Sequence, residues 1–380
     1  MFIHYLKQRL YNLERFNVTY EIFIDSEIDA KNIVNSICHE NTVEIPSDIV
    51  PNDFIKNEIV GKIEYIKKDI QSFLITVSYS NECVGLEINQ LFNIIHGNTS
   101  MYKNVRVVDV KLNSILNNIF PGPKFGINGI RKIIGHSNSI LCPVLKPQGL
   151  SSDDLASLAY DFIISGADMI KEDHNLSNQN YSSFRDRIEK TTKAVNKANK
   201  ETGKRAMYFP HVSSNFETII EDIHFAISAG VDGIMLIPSL VGYNFVHHIS
   251  KNKQFDLPII SHPSFSGGHV LSKSHGIEHG VYYGTLQRII GADMSIFPNT
   301  GGRFEFSRDQ CLSISSKCKD SDGFGKPIFP AVGGGMSIST ANDMNLMFGK
   351  DAVFLLGGGL IRYKDNMKNV INDIRNILDN

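Results

Sequence analysis

Short apolar runs separated by longer stretches of helical spacing dominate the chain from residue 139 onward. There are eight of these runs, and they begin near residues 139, 167, 206, 233, 258, 294, 327 and 353. Brief, continuous apolar runs between helices are typical of parallel strands that are buried on both faces. We therefore predict eight strand and helix units, which fit a (β/α)8 barrel, the TIM barrel, better than an open doubly wound sheet.

A weak internal repeat supports this count of strands. The repeated motifs are Gly166-Ala-Asp168, Gly230-Val-Asp232, Gly291-Ala-Asp293 and Gly349-Lys-Asp351. They recur about every 60 residues, which is close to the length of two strand and helix units. In each motif a glycine suited to ending a helix stands just before a predicted strand. The loops that lead from strand to helix are therefore expected to meet at one mouth of the barrel.

The pattern of residues 1–125 is different and predicts an α+β domain. Strand-like segments occur at residues 18–23, 72–79 and 105–110, and helical spacing occurs at 27–39 and near 86–95. We interpret the order as strand, helix, strand, strand, helix, strand, which is that of a ferredoxin-like unit. The predicted organisation is a ferredoxin-like domain over residues 1–125 and a catalytic barrel domain over residues 126–380.

Composition narrows the classes of function. The 380 residues include 38 Lys+Arg and 40 Asp+Glu, a formal net charge of −2, which gives no sign of a surface for nucleic acid or anionic membrane. The five cysteines form no CxxC pair. The apolar run at the start of the sequence is too short and too polar for a signal sequence. No later apolar run reaches the roughly 18 residues that a transmembrane helix requires. These features predict a cytoplasmic protein that acts on a small molecule, with no nucleic-acid or membrane partner.

Ionisable side chains follow several of the predicted strands. In strand order they are Lys146; Lys171, Asp173 and His174; His211; His262; and Arg303. Because ligands bind at the carboxyl ends of barrel strands, we expect these side chains to meet in a functional site. For the segment 166–187 taken alone, a polar loop that only caps a strand is an equally good interpretation.

Two glycine triplets follow the last two predicted strands. Gly333-Gly-Gly335 follows the seventh strand and Gly357-Gly-Gly359 the eighth. A single triplet is usually a flexible turn. Backbone N–H groups at these two places in a barrel, however, commonly hold a phosphate. The pair of triplets therefore predicts that the small-molecule ligand carries a phosphate group.

Longer motifs give the chain a resemblance to a known family. They are FPGPKFGI at residues 120–127 followed by Arg131, LKPQGLS at 145–151, GADMIKEDHNLSNQNYSSFRDR at 166–187, SHP at 261–263 and the two glycine triplets. In their sequence and order they resemble the RuBisCO large-chain family, and within it the RuBisCO-like proteins. The resemblance covers nearly the whole chain.

The resemblance implies a role for each matching residue. Lys171 would react with CO2 to form a carbamate, and with Asp173 and His174 it would bind Mg²⁺ or another divalent metal. A carbamate is a hard oxygen ligand, which suits such an ion. Lys146 would transfer protons and His262 would bind the substrate. The phosphate would be held by Gly334, Gly335, Gly358 and Gly359.

Three residues of the amino-terminal domain are implied in the site of another subunit. By the resemblance, Glu40, Thr42 and Asn98 would enter the active site of a neighbouring subunit, in a homodimer or an assembly of dimers. From their positions at the ends of predicted helices alone, all three are better interpreted as helix caps and turns.

Several residues depart from the carboxylase pattern of the family. His174 stands in place of a metal-binding glutamate, and histidine is an unusual ligand for Mg²⁺. Gln148 replaces a second catalytic lysine, Pro263 an arginine for a second phosphate, and Ile296 a phosphate-binding histidine. Arg303 falls where the carboxylase has a mobile lysine. We expect that the protein does not fix CO2, because the loss of polar contacts of this kind is costly.

The same departures indicate a substrate. One phosphate site remains, and the planar guanidinium of Arg303 suits a carboxylate. We expect a metal-dependent carbon–carbon lyase that enolises and then decarboxylates or cleaves a phosphorylated keto sugar acid. The runs KEDHNL at residues 171–176 and IFPNTGGRF at 296–304 resemble the non-photosynthetic RuBisCO-like group, and this resemblance implies a substrate of the 3-oxo-isoapionate 4-phosphate type. Two alternatives belong to methionine salvage: 2,3-diketo-5-methylthiopentyl-1-phosphate enolase, which His174 disfavours, and a methylthioribulose-phosphate isomerase. A third alternative is a relative that binds a sugar phosphate without turnover.

Overall fold

A computed structural model of the chain describes residues 14–304, 306–321 and 325–379. The first residues, which we interpreted as too polar for a signal sequence, lie outside the described residues. Within the described ranges, every helix is too short or too polar to cross a lipid bilayer.

The amino-terminal elements have the predicted ferredoxin-like order. They are β1 (Arg15–Ile22), α1 (Glu27–Glu40), β2 (Lys62–Lys68), β3 (Phe73–Ser80), α2 (Ile88–His96) and β4 (Val105–Lys111). The strands form an antiparallel sheet in the order β4-β1-β3-β2. Both helices pack their apolar residues against this sheet. Single turns of helix lie between these elements, at Ser47–Ile49, Ile55–Ile59, Asn81–Cys83 and Asn98–Met101.

Strand β2 is the element of this domain that the sequence pattern did not locate. It lies at the edge of the sheet, and only Ile63 and Ile66 among its residues are partly buried. A strand that buries neither face lacks a strict alternation of apolar and polar residues. Its lysines protect the open edge from pairing with other chains.

Eight parallel strands of the second half form the predicted TIM barrel. The strands of this half are β5 (Ile140–Leu145), β6 (Met169–Glu172), β7 (Met207–Phe209), β8 (Ile234–Leu236), β9 (Ile259–Ser261), β10 (Gly276–Ile277), β11 (Met294–Pro298), β12 (Phe329–Gly333) and β13 (Val353–Leu356). All except β10 lie in the barrel, where β13 returns to pair with β5. The barrel closes between β7 and β8 through a bridge between His211 and Met235. The predicted barrel is confirmed.

Helices surround the barrel and connect its strands. They are α3 (Ser114–Ile119), α4 (Gly126–Ile134), α5 (Ser152–Ile164), α6 (Phe184–Thr202), α7 (Ile219–Ala229), α8 (Pro238–Val241), α9 (Tyr243–Lys251), α10 (Gly267–Val270), α11 (Gln287–Ile289), α12 (Arg308–Lys319), α13 (Ala341–Phe348) and α14 (Met367–Asp379). A π-helical turn at Val281–Leu286 precedes α11, and a 3-10 helix at Leu360–Asn366 precedes α14. Helix α4 begins one residue after the predicted domain boundary, which stays a prediction.

An apolar cluster with members from all eight strands fills the barrel interior. The first three strands contribute Cys142, Val144, Met169, Met207 and Phe209. Helix α4 packs Ile127, Ile130 and Ile134 against this cluster. Side chains of a strand alternate between its two faces. Every second residue from these interior positions toward the mouth therefore also points into the barrel.

One prediction about strand β6 is wrong. Lys171 was expected to follow the strand, but Lys171 and Glu172 both belong to it and both are buried. The strand continues through these charges because Lys171 pairs with Val144 on one side and Phe209 on the other. Ladder hydrogen bonds and a buried partner for Glu172 therefore override the hydrophobic pattern.

The aspartates of the first three Gly-x-Asp motifs connect neighbouring strands at the end of the barrel opposite the mouth. Asp168 accepts from the Leu141 N–H at 2.8 Å, and Asp232 accepts from the Tyr208 N–H at 2.9 Å. The four glycines have positive φ, from +74° to +109°, a backbone conformation that suits glycine. Each motif thus ends a helix and begins a strand.

Among these carboxylates, Asp293 accepts the largest number of backbone hydrogen bonds. It accepts from Phe125 and Gly126 at 2.8 and 2.7 Å, and from Ile259 at 2.9 Å. It therefore links the start of α4 to β9. Burial raises the pKa of the Asp293 carboxyl to about 6, although the three N–H donors act to lower it.

Replacing Asp293 with asparagine is expected to reduce the free energy of unfolding by about 2–3 kcal/mol, because the amide N–H2 would face a buried N–H donor. Urea unfolding followed by circular dichroism measures this. The control is Asp351→Asn in the fourth motif, where the carboxylate is half exposed and pairs with Arg131. There the loss should stay below about 1 kcal/mol. Similar losses in both variants would contradict the structural role of Asp293.

Candidate active site

Lys171 lies at the inner wall of the barrel mouth. Its side chain continues the inward series that begins at Met169, and the residue is 2% exposed. The Nζ donates to the backbone carbonyl of Glu172 at 2.9 Å. Burial lowers the pKa of the Lys171 amine to about 8. A larger fraction of this amine is therefore neutral at pH 7 than for an exposed lysine, and the neutral form is the one that can add CO2.

Lys146 and Asp173 form an ion pair at the next level of the mouth. Leu145 pairs with Glu172 in the strand register, so the residues that follow them, Lys146 and Asp173, lie side by side. The Lys146 Nζ lies 2.7 Å from the Asp173 Oδ2. Burial acts to raise the pKa of the Asp173 carboxyl, but the hydrogen bond and charge of Lys146 outweigh it and lower that pKa. Asp173 is therefore ionised at neutral pH.

Two histidines stack across the mouth. The ring centroids of His174 and His262 are 4.3 Å apart with an interplanar angle of 18°. The His262 Nδ1 accepts from the Ser264 N–H at 3.2 Å, which assigns the proton of the neutral ring to Nε2. Burial, followed by the charge of Lys171, lowers the pKa of His262 well below its ordinary value. His262 is therefore a neutral ring that can donate through Nε2.

Glu172 supports the site from the outer face of β6, a role that the sequence did not reveal. It is fully buried and pairs with the fully buried Arg187, with Nε to Oε1 at 2.7 Å. The Tyr208 hydroxyl and the His211 N–H also donate to this carboxylate, at 2.7 and 3.0 Å. Because Glu172 is held outward, its neighbours Lys171 and Asp173 are held inward.

Arg303 and Gln148 lie on loops at the mouth. Burial lowers the pKa of His174, and Arg303 is among the cations whose charge lowers it further, so this exposed guanidinium is within electrostatic reach of the stacked rings. The Gln148 side chain donates to the Asn175 carbonyl at 3.2 Å. Gln148 therefore joins the loops after β5 and β6, where the carboxylase pattern has a lysine.

The glycine triplets lie in turns with space beside them. Gly334 and Gly335 have φ of +93° and +79°, and a Cβ at Gly358 or Gly359 would meet no atom within 4 Å. A Cβ at Gly335 would lie 3.2 Å from the Nδ2 of Asn299. Asn299 is buried, and its Oδ1 has no hydrogen-bond partner among the described residues. Asn299 is thus a polar group beside the predicted phosphate site that sequence reasoning missed.

Glu40, Thr42 and Asn98 lie on the amino-terminal domain. The Asn98 Nδ2 donates to the Glu40 Oε1 at 3.0 Å on an exposed surface, and the Thr42 hydroxyl donates to the Cys38 carbonyl at 2.6 Å. Within the described residues, no hydrogen bond or ion pair connects these three to the barrel mouth. Their assignment to a neighbouring subunit's site stays a prediction.

The residues implied as metal ligands can be tested for their fit to a divalent ion. In the described part of the chain, no group of three or more His, Cys, Asp and Glu side chains is arranged to hold a metal. Asp173 is the one carboxylate among the implied ligands, and His174 places its Nδ1 3.4 Å from the Asp173 Oδ1. A carbamate on Lys171 would add oxygen ligands. The set therefore fits a divalent ion when Lys171 is carbamylated, and its nitrogen ligand favours an ion softer than Mg²⁺.

Comparison with known proteins decides the family. Residues 126–378 match the pattern of the ribulose bisphosphate carboxylase large chain, catalytic domain. The chain belongs to the RuBisCO large-chain family. Within it the chain is one of the RuBisCO-like proteins, because the relatives that match it over most of its length include proteins of that name. The resemblance inferred from the motifs is confirmed.

Three similar proteins illustrate this RuBisCO-like group. Ribulose bisphosphate carboxylase-like protein 1 of Rhodopseudomonas palustris is 32% identical over 92% of this chain and 93% of its own length. The 5-methylthioribulose-1-phosphate isomerase of Rhodospirillum rubrum is 30% identical over 93% of both chains. The crystal structure of a Rubisco-like protein from Rhodopseudomonas palustris superposes with a TM-score of 0.85, 27% identity and coverage of 96% of this chain and 97% of that one.

The buried ion pair of this RuBisCO-like protein can be tested by removing its cation. Arg187→Met is expected to reduce the free energy of unfolding by about 3–5 kcal/mol, because Glu172 would stay buried without a counter-charge. Arg185→Met in the same Phe-Arg-Asp-Arg motif is the control, since that side chain is 57% exposed and 3.6 Å from Asp222. Its loss should be below about 1 kcal/mol. Urea unfolding of both variants distinguishes them, and equal losses would contradict the role of the pair.

Proposed function

We propose that the protein is an enzyme that enolises a monophosphorylated keto sugar and does not fix CO2. The observation that carries this proposal is the layer of Lys171, Asp173 and Lys146 at the barrel mouth. The Lys171 amine is buried, and its pKa is lowered to about 8. Asp173 lies two residues along the chain and forms an ion pair of 2.7 Å with Lys146. This arrangement suits the handling of a carbonyl and its adjacent proton.

Each residue of the mouth has a distinct part in this reaction. The carbamate of Lys171, Asp173 and His174 would hold a divalent ion, which supplies Lewis-acid polarisation of a ketone when it is bound. The amine of Lys146, which Asp173 holds by an ion pair of 2.7 Å, can donate a hydrogen bond or a proton to an oxygen that gains charge. His262 is neutral with its proton on Nε2 and can donate to the substrate.

The phosphate of the substrate would lie against the two glycine turns. The backbone beside Gly334, Gly358 and Gly359 has open space around it, and at Gly335 the nearest group is the Asn299 amide. Backbone N–H groups in such turns bind anions. Asn299 adds a side-chain amide next to Gly335. With Pro263 and Ile296 at the positions of a second phosphate site, one phosphate is expected.

The outcome after enolisation depends on what Arg303 binds. Its guanidinium forms a planar fork that pairs well with a carboxylate, and it lies within electrostatic reach of His174. When the carboxylate is β to the ketone, breaking the bond between the carboxylate and the α carbon would release CO2 and leave the electron pair in an enolate, whose negative charge a divalent ion held by Lys171, Asp173 and His174 would stabilise. This supports decarboxylation or carbon–carbon cleavage of a keto sugar acid of the 3-oxo-isoapionate 4-phosphate type.

Isomerisation is the second candidate. The relative from Rhodospirillum rubrum, named 5-methylthioribulose-1-phosphate isomerase, is 30% identical over 93% of this chain. Isomerisation uses the same first step, removal of a proton next to a ketone, and then returns a proton at another carbon. The two candidates therefore share the site and differ in the fate of the enolate.

Purified protein incubated with Mg²⁺ or Mn²⁺ and bicarbonate in D2O decides between them. CO2 release or cleavage of 3-oxo-isoapionate 4-phosphate supports the lyase, whereas deuterium uptake by 5-methylthioribulose 1-phosphate without carbon loss supports the isomerase. Lys171→Ala should lower the rate at least about 100-fold. Lys200→Ala, an exposed lysine of α6, should leave it unchanged. Binding without turnover of either compound would reject an enzyme of these two kinds.

We also propose that the active site is shared within a homodimer or an assembly of dimers. The Glu40–Asn98 pair is a polar, exposed contact on the amino-terminal domain, where a second subunit could approach. Glu40 and Asn98 form a hydrogen bond with each other, and among the described residues neither is hydrogen-bonded to a mouth residue of the same chain.

Mixing two inactive variants tests this arrangement. Asn98→Ala and Lys171→Ala should each be nearly inactive alone, and random mixing of their subunits should restore about a quarter of the wild-type rate, because half the sites in each hybrid dimer are intact. The measurement is the rate after subunits are exchanged or co-expressed with different tags. A hybrid with no activity, or a protein that is monomeric by light scattering, would contradict the shared site.

A further inference from the structure

His211 lies inside the barrel mouth, beside the residues already described. It is two positions beyond Phe209, an interior residue of β7 that pairs with Lys171. Its bridge to Met235 continues the sheet past the end of the strand. The two-residue alternation therefore directs the imidazole inward, at the level of Asp173. His211 is 2% exposed, and Lys171 and His174 of the mouth are among the groups whose charge acts on its ring.

Hydrogen bonds fix both the position and the proton of His211. The backbone N–H donates to the Glu172 Oε2 at 3.0 Å, and the ring Nδ1 lies 2.9 Å from the Leu176 carbonyl oxygen. A carbonyl oxygen can only accept, so Nδ1 carries the proton and Nε2 has a free lone pair. Among the described residues, this buried Nε2 has no hydrogen-bond partner.

We propose that His211 is a specificity-determining residue whose Nε2 accepts a hydrogen bond from a hydroxyl group of the bound substrate. This inference rests on the proposed function, which supplies a hydroxylated keto sugar as the ligand. His211 and His262 then have opposite roles. His262 donates through Nε2, whereas His211 accepts through Nε2.

A buried acceptor without a partner costs free energy, and a fold keeps such a group mainly when something else satisfies it. Burial lowers the pKa of His211 to about 4, so the ring stays neutral and remains an acceptor at pH 7. Together the two imidazoles match a carbonyl or enolate oxygen and a nearby hydroxyl on one molecule. A site built to pair with a hydroxyl strongly rejects an analogue that lacks it.

Two substitutions separate the substrate contact from the structural contact. In His211→Asn, the short side chain can place its amide N–H toward the Leu176 carbonyl, but nothing replaces Nε2. In His211→Gln, the longer side chain can place its oxygen where Nε2 lies, but the donor to Leu176 is lost. The first variant keeps the anchor and loses the acceptor, and the second does the reverse.

Steady-state kinetics is measured with whichever of the two compounds the wild type turns over, and thermal unfolding is measured on each purified protein. His211→Asn should raise KM at least about tenfold with Tm within about 2 °C of the wild type. His211→Gln should keep KM within about threefold and lower Tm by about 2–4 °C. His224→Asn, an exposed histidine of α7, is the control and should change neither. An unchanged KM in His211→Asn, or equal increases in both variants, would overturn the inference.

A second measurement does not depend on the substrate. In ¹⁵N NMR spectra of histidine-labelled protein at pH 7, His211 should be protonated at Nδ1 and bare at Nε2, with His262 in the opposite tautomer. A proton on the Nε2 of His211 would overturn the inference even if the enzyme is active. If the wild type turns over neither compound, the proposed function fails, and the tautomer still decides whether His211 offers an acceptor.

Discussion

The ion pair of Glu172 and Arg187 is the constraint on which the site depends. Both side chains are completely buried, and a buried charge is tolerated only when its partners are nearly complete. Arg187 meets this condition by also donating to the carbonyls of Ser177 and Ser182, both at 2.8 Å. The pair therefore fixes the end of β6 and the loop that follows it in one conformation. A shift of β6 by one residue would turn Glu172 into the barrel and Lys171 out of it.

Much of the fold could be predicted because its main determinants are local. Eight apolar runs and four Gly-x-Asp motifs are properties of short segments, and the structure places them where the pattern indicated. Strand β2 and the end of β6 were harder, because an edge strand buries little and because Glu172 is matched by Arg187, 15 positions along the chain. The motifs predicted that five side chains meet at one barrel mouth: Lys146, Lys171, Asp173, His174 and His262. No pattern in the sequence, however, identifies which ring nitrogen of His211 or His262 carries the proton.

The mouth has a cationic character that follows from its substitutions. His174 and His262 are stacked rings whose pKa is lowered first by burial. The charges of Lys171 and Lys146 lower the pKa of both rings further, and the charge of Arg303 lowers that of His174. A histidine in place of an acidic ligand removes one negative charge from this neighbourhood. Such a field attracts anionic ligands and raises their local concentration, as the proposed substrate with its phosphate and carboxylate requires.

Strand β10 gives the loop that carries His262 an unusual anchorage. The loop leaves the barrel at β9 and ends at Gly276 and Ile277, which pair in parallel with Arg106 and Val107 of the amino-terminal sheet. A segment held at both ends by hydrogen-bonded strands has few conformations left to lose. The loop therefore loses most of its conformational entropy when the chain folds, not when a ligand binds. A ligand that contacts His262 meets a surface that is already preorganised.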